Sequence, residues 1–131
     1  ESFVTLDMCF IDLYDSSADF IKTGAAPSFI KKNNKVKIIK SGSLPVGMLQ
    51  NVEKSISTEH LSNGDMIILA SDGLLDADNK TDVKWLADVL AKSDITDPQQ
   101  MAEYLLNKAI AISGGRLRDD ITILVAAIGA A

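Results

Sequence analysis

The chain has 131 residues, of which 47% are hydrophobic and 24% charged, with 13 basic against 18 acidic side chains and a net charge of −5. That length accommodates one globular domain with a sizeable core and excludes two full-sized ones. The acidic balance argues against a generic nucleic-acid binder, and the single cysteine, Cys9, excludes an internal disulfide framework and a cysteine-rich zinc site.

Alternation over residues 3–13 predicts a strand, with Val4, Leu6, Met8 and Phe10 on one face and Thr5, Asp7 and Cys9 on the other. The turn Asp15-Ser16-Ser17 leads into a second strand over 18–23, which Gly24-Ala25-Ala26-Pro27 breaks. Strands over 28–32 and 35–41 flank the tight-turn pair Asn33-Asn34, so the first forty residues read as an antiparallel meander. A loop covers 42–47, a short strand falls within 52–60, and Asn63-Gly64-Asp65 makes a turn. Residues 66–70 form a continuous apolar run bounded by turn residues, the pattern of a central strand buried on both faces. Ser71-Asp72-Gly73 ends it abruptly.

Two helices follow. Thr81 or Asp82 caps the first, which places Trp85, Leu86, Val89 and Leu90 on one face. The second starts at the N-cap Asp97, with Pro98 at its first position and Gln100 completing a capping box. Its apolar stripe is Met101, Leu105, Ala109 and Ile112, and Gly114-Gly115 stops it. A polar loop over 116–120 leads into a final buried strand over 121–128. The apolar run over 121–131 falls short of the ~18 residues a spanning helix needs. No signal peptide is visible, and the start Glu1-Ser2-Phe3-Val4 enters a strand pattern without an initiator Met, which predicts a segment of a longer chain.

Two acidic positions stand out. Asp72 follows one apolar strand, and Asp119 and Asp120 precede another. If those strands are antiparallel neighbours, the carboxylates gather at one sheet edge. Short side chains there hold hard oxygen ligands close to the backbone, which suits Mg²⁺ or Mn²⁺. Gly73 would let the backbone approach the ion closely. On spacing alone, a plain turn and a solvated loop explain the same residues. An EF-hand beginning at Asp76 fails, because Lys80, Thr81 and Ala87 occupy its fifth, sixth and twelfth positions. The one histidine, His60, lacks a partner for a zinc site or a triad and reads as a strand-end residue. Lys31, Lys32, Lys35, Lys37 and Lys40 form a basic hairpin. It reads as a solvated edge guarded against strand pairing, with docking of an acidic partner or phosphate as the second reading. Cys9 reads as a core filler.

The motifs occur in a fixed order: Thr5-Leu6-Asp7, then Gly24-Ala25-Ala26-Pro27-Ser28-Phe29-Ile30, Leu44-Pro45-Val46-Gly47, Ser71-Asp72-Gly73 and Arg118-Asp119-Asp120-Ile121-Thr122. Together they resemble the C-terminal part of PPM-type (protein phosphatase 2C-like) serine/threonine phosphatases. Within these the chain is most similar to the phosphatase domain of the stage II sporulation protein E family. The resemblance implies an α+β fold, an antiparallel two-sheet sandwich flanked by helices, of which residues 1–131 are the C-terminal portion. It implies a two-metal Mn²⁺ or Mg²⁺ centre in the complete domain, with Asp72 and Asp119 as catalytic metal ligands and Gly73 as a supporting residue. The metal ions would activate a water and neutralise charge on the transferring phosphoryl group.

The same resemblance implies hydrolysis of phosphoserine or phosphothreonine on a regulatory protein such as an anti-sigma factor antagonist. It implies a cytoplasmic domain with neither nucleic-acid nor direct membrane contact by this segment, in a parent chain that could be membrane-anchored. The family's other metal aspartates belong to an N-terminal half, so this segment alone is expected to be inactive and to self-associate through surface that half would cover. Asp7 and Asp12 lack the Asp-Gly context and are not counted as ligands. The Gly24–Pro27 loop lacks the His of many stress-response relatives. A non-catalytic interaction module on the same fold is the alternative, and a generic small α+β binding domain, with Asp72 and Asp119 far apart, is a third reading.

Overall fold

A computed structural model describes residues 2, 4–42, 55–80 and 82–129. Among the described residues, seven strands form two antiparallel sheets. The first sheet has β1 (Leu6–Asp12), β2 (Ser17–Thr23) and β5 (Ser55–His60), in the order β1-β2-β5. The second has β3 (Ser28–Lys32), β4 (Lys35–Ile39), β6 (Met66–Ala70) and β7 (Ile123–Ala127), in the order β4-β3-β6-β7. Three helices, α1 (Asp72–Leu75), α2 (Lys84–Lys92) and α3 (Pro98–Ile112), complete the described residues, with a 3₁₀ turn over Asp76–Asp78.

The second sheet is the middle layer. Ile30 and Ile67 point towards the first sheet and pack with Ala18, Phe20, Ile39 and Leu61. On the opposite side Phe29, Met66 and Ile68 pack against Leu74, Leu86, Leu90, Met101 and Leu105 of the helices. Neighbouring residues of β3 and β6 therefore serve two different cores. This is why the run over Met66–Ala70 is apolar throughout, not alternating. The two-sheet sandwich with flanking helices expected from the sequence is the fold observed.

α3 starts as its sequence dictates: Asp97 has extended backbone, and its carboxylate accepts from the Gln100 amide at 2.8 Å. The start of α2 differs. Its N-cap residue is Val83 without a side-chain cap, and the Asp82 carboxylate accepts instead from the Lys84 amide at 3.0 Å. α1 is an addition. Four residues are too few to show a helical period in sequence.

Two other readings, of the last strand and of Ile112, are corrected, and the inward face of β1, which alternation leaves open, is settled. In β1 it is the Leu6, Met8 and Phe10 face that is exposed, Phe10 by 63%, while Cys9 and Ile11 turn inward against the core between the sheets. The last strand is only Ile123–Ala127 and is half-buried, with Leu124 53% exposed, because β7 is an edge strand. Ile112 at the end of the α3 stripe is exposed. His60 is an exposed strand end, as expected. The lysine hairpin is more engaged than a solvated edge: Lys32 pairs with Asp65 and Lys37 with Glu59, each at 2.8 Å, and Lys31 is buried. The expected loop beyond Gly42, the start of the fifth strand at 52–54 and the Thr81 cap lie outside the described residues.

Candidate active site

β6 and β7 are antiparallel neighbours, with Ala70 opposite Ile123. The chain leaving β6 and the chain entering β7 therefore occupy the same sheet edge. Backbone and side-chain hydrogen bonds hold them together. The Ser71 amide donates to the Thr122 carbonyl at 3.0 Å, and the Thr122 amide donates to Ser71 Oγ at 2.9 Å. Ser71 Oγ donates in turn to the Asp120 carbonyl at 3.3 Å.

Gly73 is where the two loops touch. A Cβ at this position would collide with the Asp120 carbonyl oxygen, with the Asp120 carbonyl carbon 3.1 Å away and the Asp119 oxygen 3.4 Å away. Glycine is required here for close approach, since the residue has no positive φ. The sequence assigns Gly73 to close approach of the backbone to an ion; the close approach seen in the structure is a different one, to the Asp119–Asp120 backbone. α1 seats this corner from below. Gly73, Leu74 and Leu75 are buried, and the Trp85 indole N–H donates to the Leu75 carbonyl at 3.1 Å.

The two singled-out carboxylates thus stand on abutting loops, both exposed to solvent. Asp72 Oδ1 accepts from the Gly73 amide at 3.0 Å, and Asp119 Oδ1 accepts from the Asp120 amide at 2.8 Å. They border different depressions. Asp72 lines a cleft of about 560 Å³ at the open end of the sandwich, with Thr5, Asp7, Gly24, Ala26 and Thr122. Asp119 lines a shallower one of about 440 Å³ with Leu106, Arg118, Asp120 and Ile121. Oxygen anions on touching loops are the right donor type for a hard divalent cation. Among the described residues, however, no three His, Cys, Asp or Glu side chains converge into a complete ligand set.

Asp7, set aside in the sequence reading, lines the same cleft as Asp72. It forms an ion pair with Lys22 at 2.8 Å, and Lys22 is 1% exposed. Burial pulls the Lys22 pKa down, while the hydrogen bond and charge of Asp7 act in the opposite sense. The signal was present in the sequence. Counting outward from the Asp15-Ser16-Ser17 turn puts Asp7 opposite Lys22.

The stage II sporulation protein E (SpoIIE) family model matches residues 1–129. Stage II sporulation protein E of Bacillus subtilis (strain 168) is 32% identical over 130 residues, 98% of this chain and 16% of that protein. Its counterpart in Priestia megaterium is 33% identical over 128 residues, 96% of this chain and 22% of that protein. The chain thus spans less than a quarter of the curated relatives it matches. The Mn-presoaked structure of the phosphatase domain of the cell fate determinant SpoIIE from Bacillus subtilis superposes with a TM-score of 0.82 at 30% identity, covering 95% of this chain and 56% of that one. A match along nearly the full chain in sequence, repeated in fold, leaves one assignment: the chain belongs to the stage II sporulation protein E family.

Proposed function

We propose that residues 1–131 are the C-terminal portion of a single PPM-type phosphatase domain that, when complete, hydrolyses phosphoserine or phosphothreonine on a regulatory protein. An anti-sigma factor antagonist is the substrate class we favour. The observation that carries this reading is the abutment of the Asp72 and Asp119 loops through Gly73 in a chain of this family. In this proposal Asp72 and Asp119 are catalytic metal ligands for Mn²⁺ or Mg²⁺. Cations held there would supply Lewis acidity and lower the pKa of a water.

This chain's own contribution is positional. Ser71 and Thr122 lock the two loops in register, and Gly73 sets their spacing. Asp72 and Asp119 present anionic oxygens beside them. Among the described residues the second oxygen of each has no hydrogen-bond partner. The remaining ligands belong, on this reading, to the rest of the domain, since this chain covers 56% of the related phosphatase-domain structure. The isolated segment is accordingly inactive, and it self-associates through the exposed Leu6, Met8 and Phe10 face. On this reading the domain is cytoplasmic. No helix among the described residues is long and apolar enough to cross a membrane.

The test uses the full-length protein with Mn²⁺ and p-nitrophenyl phosphate or a phosphoserine protein. Asp72→Ala and Asp119→Ala should each abolish turnover. Unchanged turnover in the Asp119→Ala protein refutes the site. A full-length parent with no Mn²⁺-dependent hydrolysis that still binds a phosphorylated regulator supports the interaction module instead.

A further inference from the structure

Asp7 and Lys22 face each other across β1 and β2 on the inner side of the first sheet, at the end where Asp72 stands. A lysine is seldom buried this completely without a specific partner, and removing its charge from water is costly. The core has no need of a charge here. The cross-strand pairs that follow along the same face, Cys9 with Phe20 and Ile11 with Ala18, are apolar or nearly so. The ammonium also reaches beyond its own strand, donating to the Ala26 carbonyl at 2.7 Å. The second oxygen of Asp7 accepts from the Ser28 hydroxyl at 3.3 Å. One ion pair therefore ties down the Gly24–Pro27 segment at Ala26 and again just after it, at Ser28.

That segment borders the cleft beside Asp72. Gly24, Ala25 and Ala26 line it together with Leu69, Ala70, Thr122 and Leu124, a largely apolar lining of small and aliphatic side chains. The turn begins with Gly24 at φ 59°, so its shape comes from a conformation open to glycine. Its placement comes from the charge pair.

We propose that Asp7 and Lys22 are positioning residues that fix the Gly24–Pro27 segment as the specificity wall of the cleft, against which an apolar residue flanking the phosphorylated side chain packs. The proposal rests on the phosphatase reading above and deepens it. The pair does not touch the phosphate. It acts through Ala25 and Ala26, and so it governs which phosphopeptide is accepted.

The test compares two phosphoserine peptides in the full-length protein with Mn²⁺, one with leucine beside the phosphoserine and one with aspartate there. The parent should favour the leucine peptide in kcat/KM by roughly tenfold, the scale of one modest apolar contact. Lys22→Met should bring that ratio close to one, chiefly by raising KM for the leucine peptide. Asp7→Asn, which keeps the side-chain shape and removes the charge, should do the same, and it decides the matter if Lys22→Met fails to fold. Lys32→Met breaks an ion pair elsewhere, with Asp65, and should leave the ratio alone. A parent without preference, or a ratio unmoved in the folded variants, overturns the proposal while the phosphatase reading stands. Equal losses on both peptides also overturn it, because they indicate a merely structural pair. A parent that hydrolyses neither peptide refutes the phosphatase reading, and this proposal falls with it.

Discussion

Replacing Gly73 by alanine adds one methyl group at the point where the two aspartate loops touch. The new Cβ would overlap the Asp120 carbonyl oxygen and sit 3.1 Å from its carbon, and both are backbone atoms that cannot swing aside. A relaxed carbon–oxygen contact is about 3.3–3.6 Å, so the loops would have to part by something on the order of 1 Å. The bonds joining Ser71 to Thr122 start at 2.9 and 3.0 Å and would stretch beyond useful length. Overpacking costs roughly 1–3 kcal/mol, and each weakened bond adds about 0.5–1.5 kcal/mol. The expected destabilisation is therefore about 2–6 kcal/mol, or roughly 4–24 °C in the melting temperature of a domain of 150–250 residues. Thermal unfolding of the full-length protein, followed by circular dichroism, measures it. Gly42→Ala is the control, since a Cβ there meets nothing within 4 Å. A Gly73→Ala protein that melts within about 1 °C of the parent would refute the close-approach argument.

Three further outcomes are expected. Asp97→Ala removes the cap on the Gln100 amide and should cost about 1 kcal/mol in urea unfolding, with no change in slope. Phe29→Ala empties a fully buried position in the helix-side core and should cost about 3–5 kcal/mol; a loss under about 1 kcal/mol would mean that the core collapses to fill it. Burial, then the charges of Asp7 and Asp19, raise the Cys9 thiol above its ordinary value of 9.0, against the pull of Lys22. The folded thiol thus keeps its proton to higher pH than the unfolded one. Its contribution to stability is complete below the unfolded pKa and is lost as pH rises through the folded one. Iodoacetamide should alkylate Cys9 with a pH inflection above 9.0, and Cys9→Ser should flatten the alkaline loss of stability; an inflection at or below 9.0 would contradict the burial.

Features with a local physical cause were legible in the sequence. The Asp97-Pro98 start of α3 is a matter of satisfying exposed amides, and the unbroken apolar run of β6 follows from having a core on each side. The outward turn of Leu6, Met8 and Phe10 was not legible. Alternation sets a period of two but does not say which face meets the second sheet. The sequence reading of Gly73 concerns approach to an ion, and the steric requirement set by the Asp120 carbonyl is visible only in the fold. Asp7 has no Asp-Gly context to mark it in the sequence. Its importance lies in register, which becomes visible only when the hairpin is counted pair by pair.

The pairing of β6 with β7 also bears on how the molecule assembles. Ser71 and Thr122 are 51 positions apart, and α2 and α3 lie between them in the chain. Closing so long a loop is entropically expensive until the helices have condensed onto the central sheet. Chains in which β7 has come away from β6 accordingly lack the acidic corner, and hydrogen exchange at the Ser71 and Thr122 amides reads its formation. Under the proposed metal reading, ion capture at that corner would draw on the cooperativity of the whole domain.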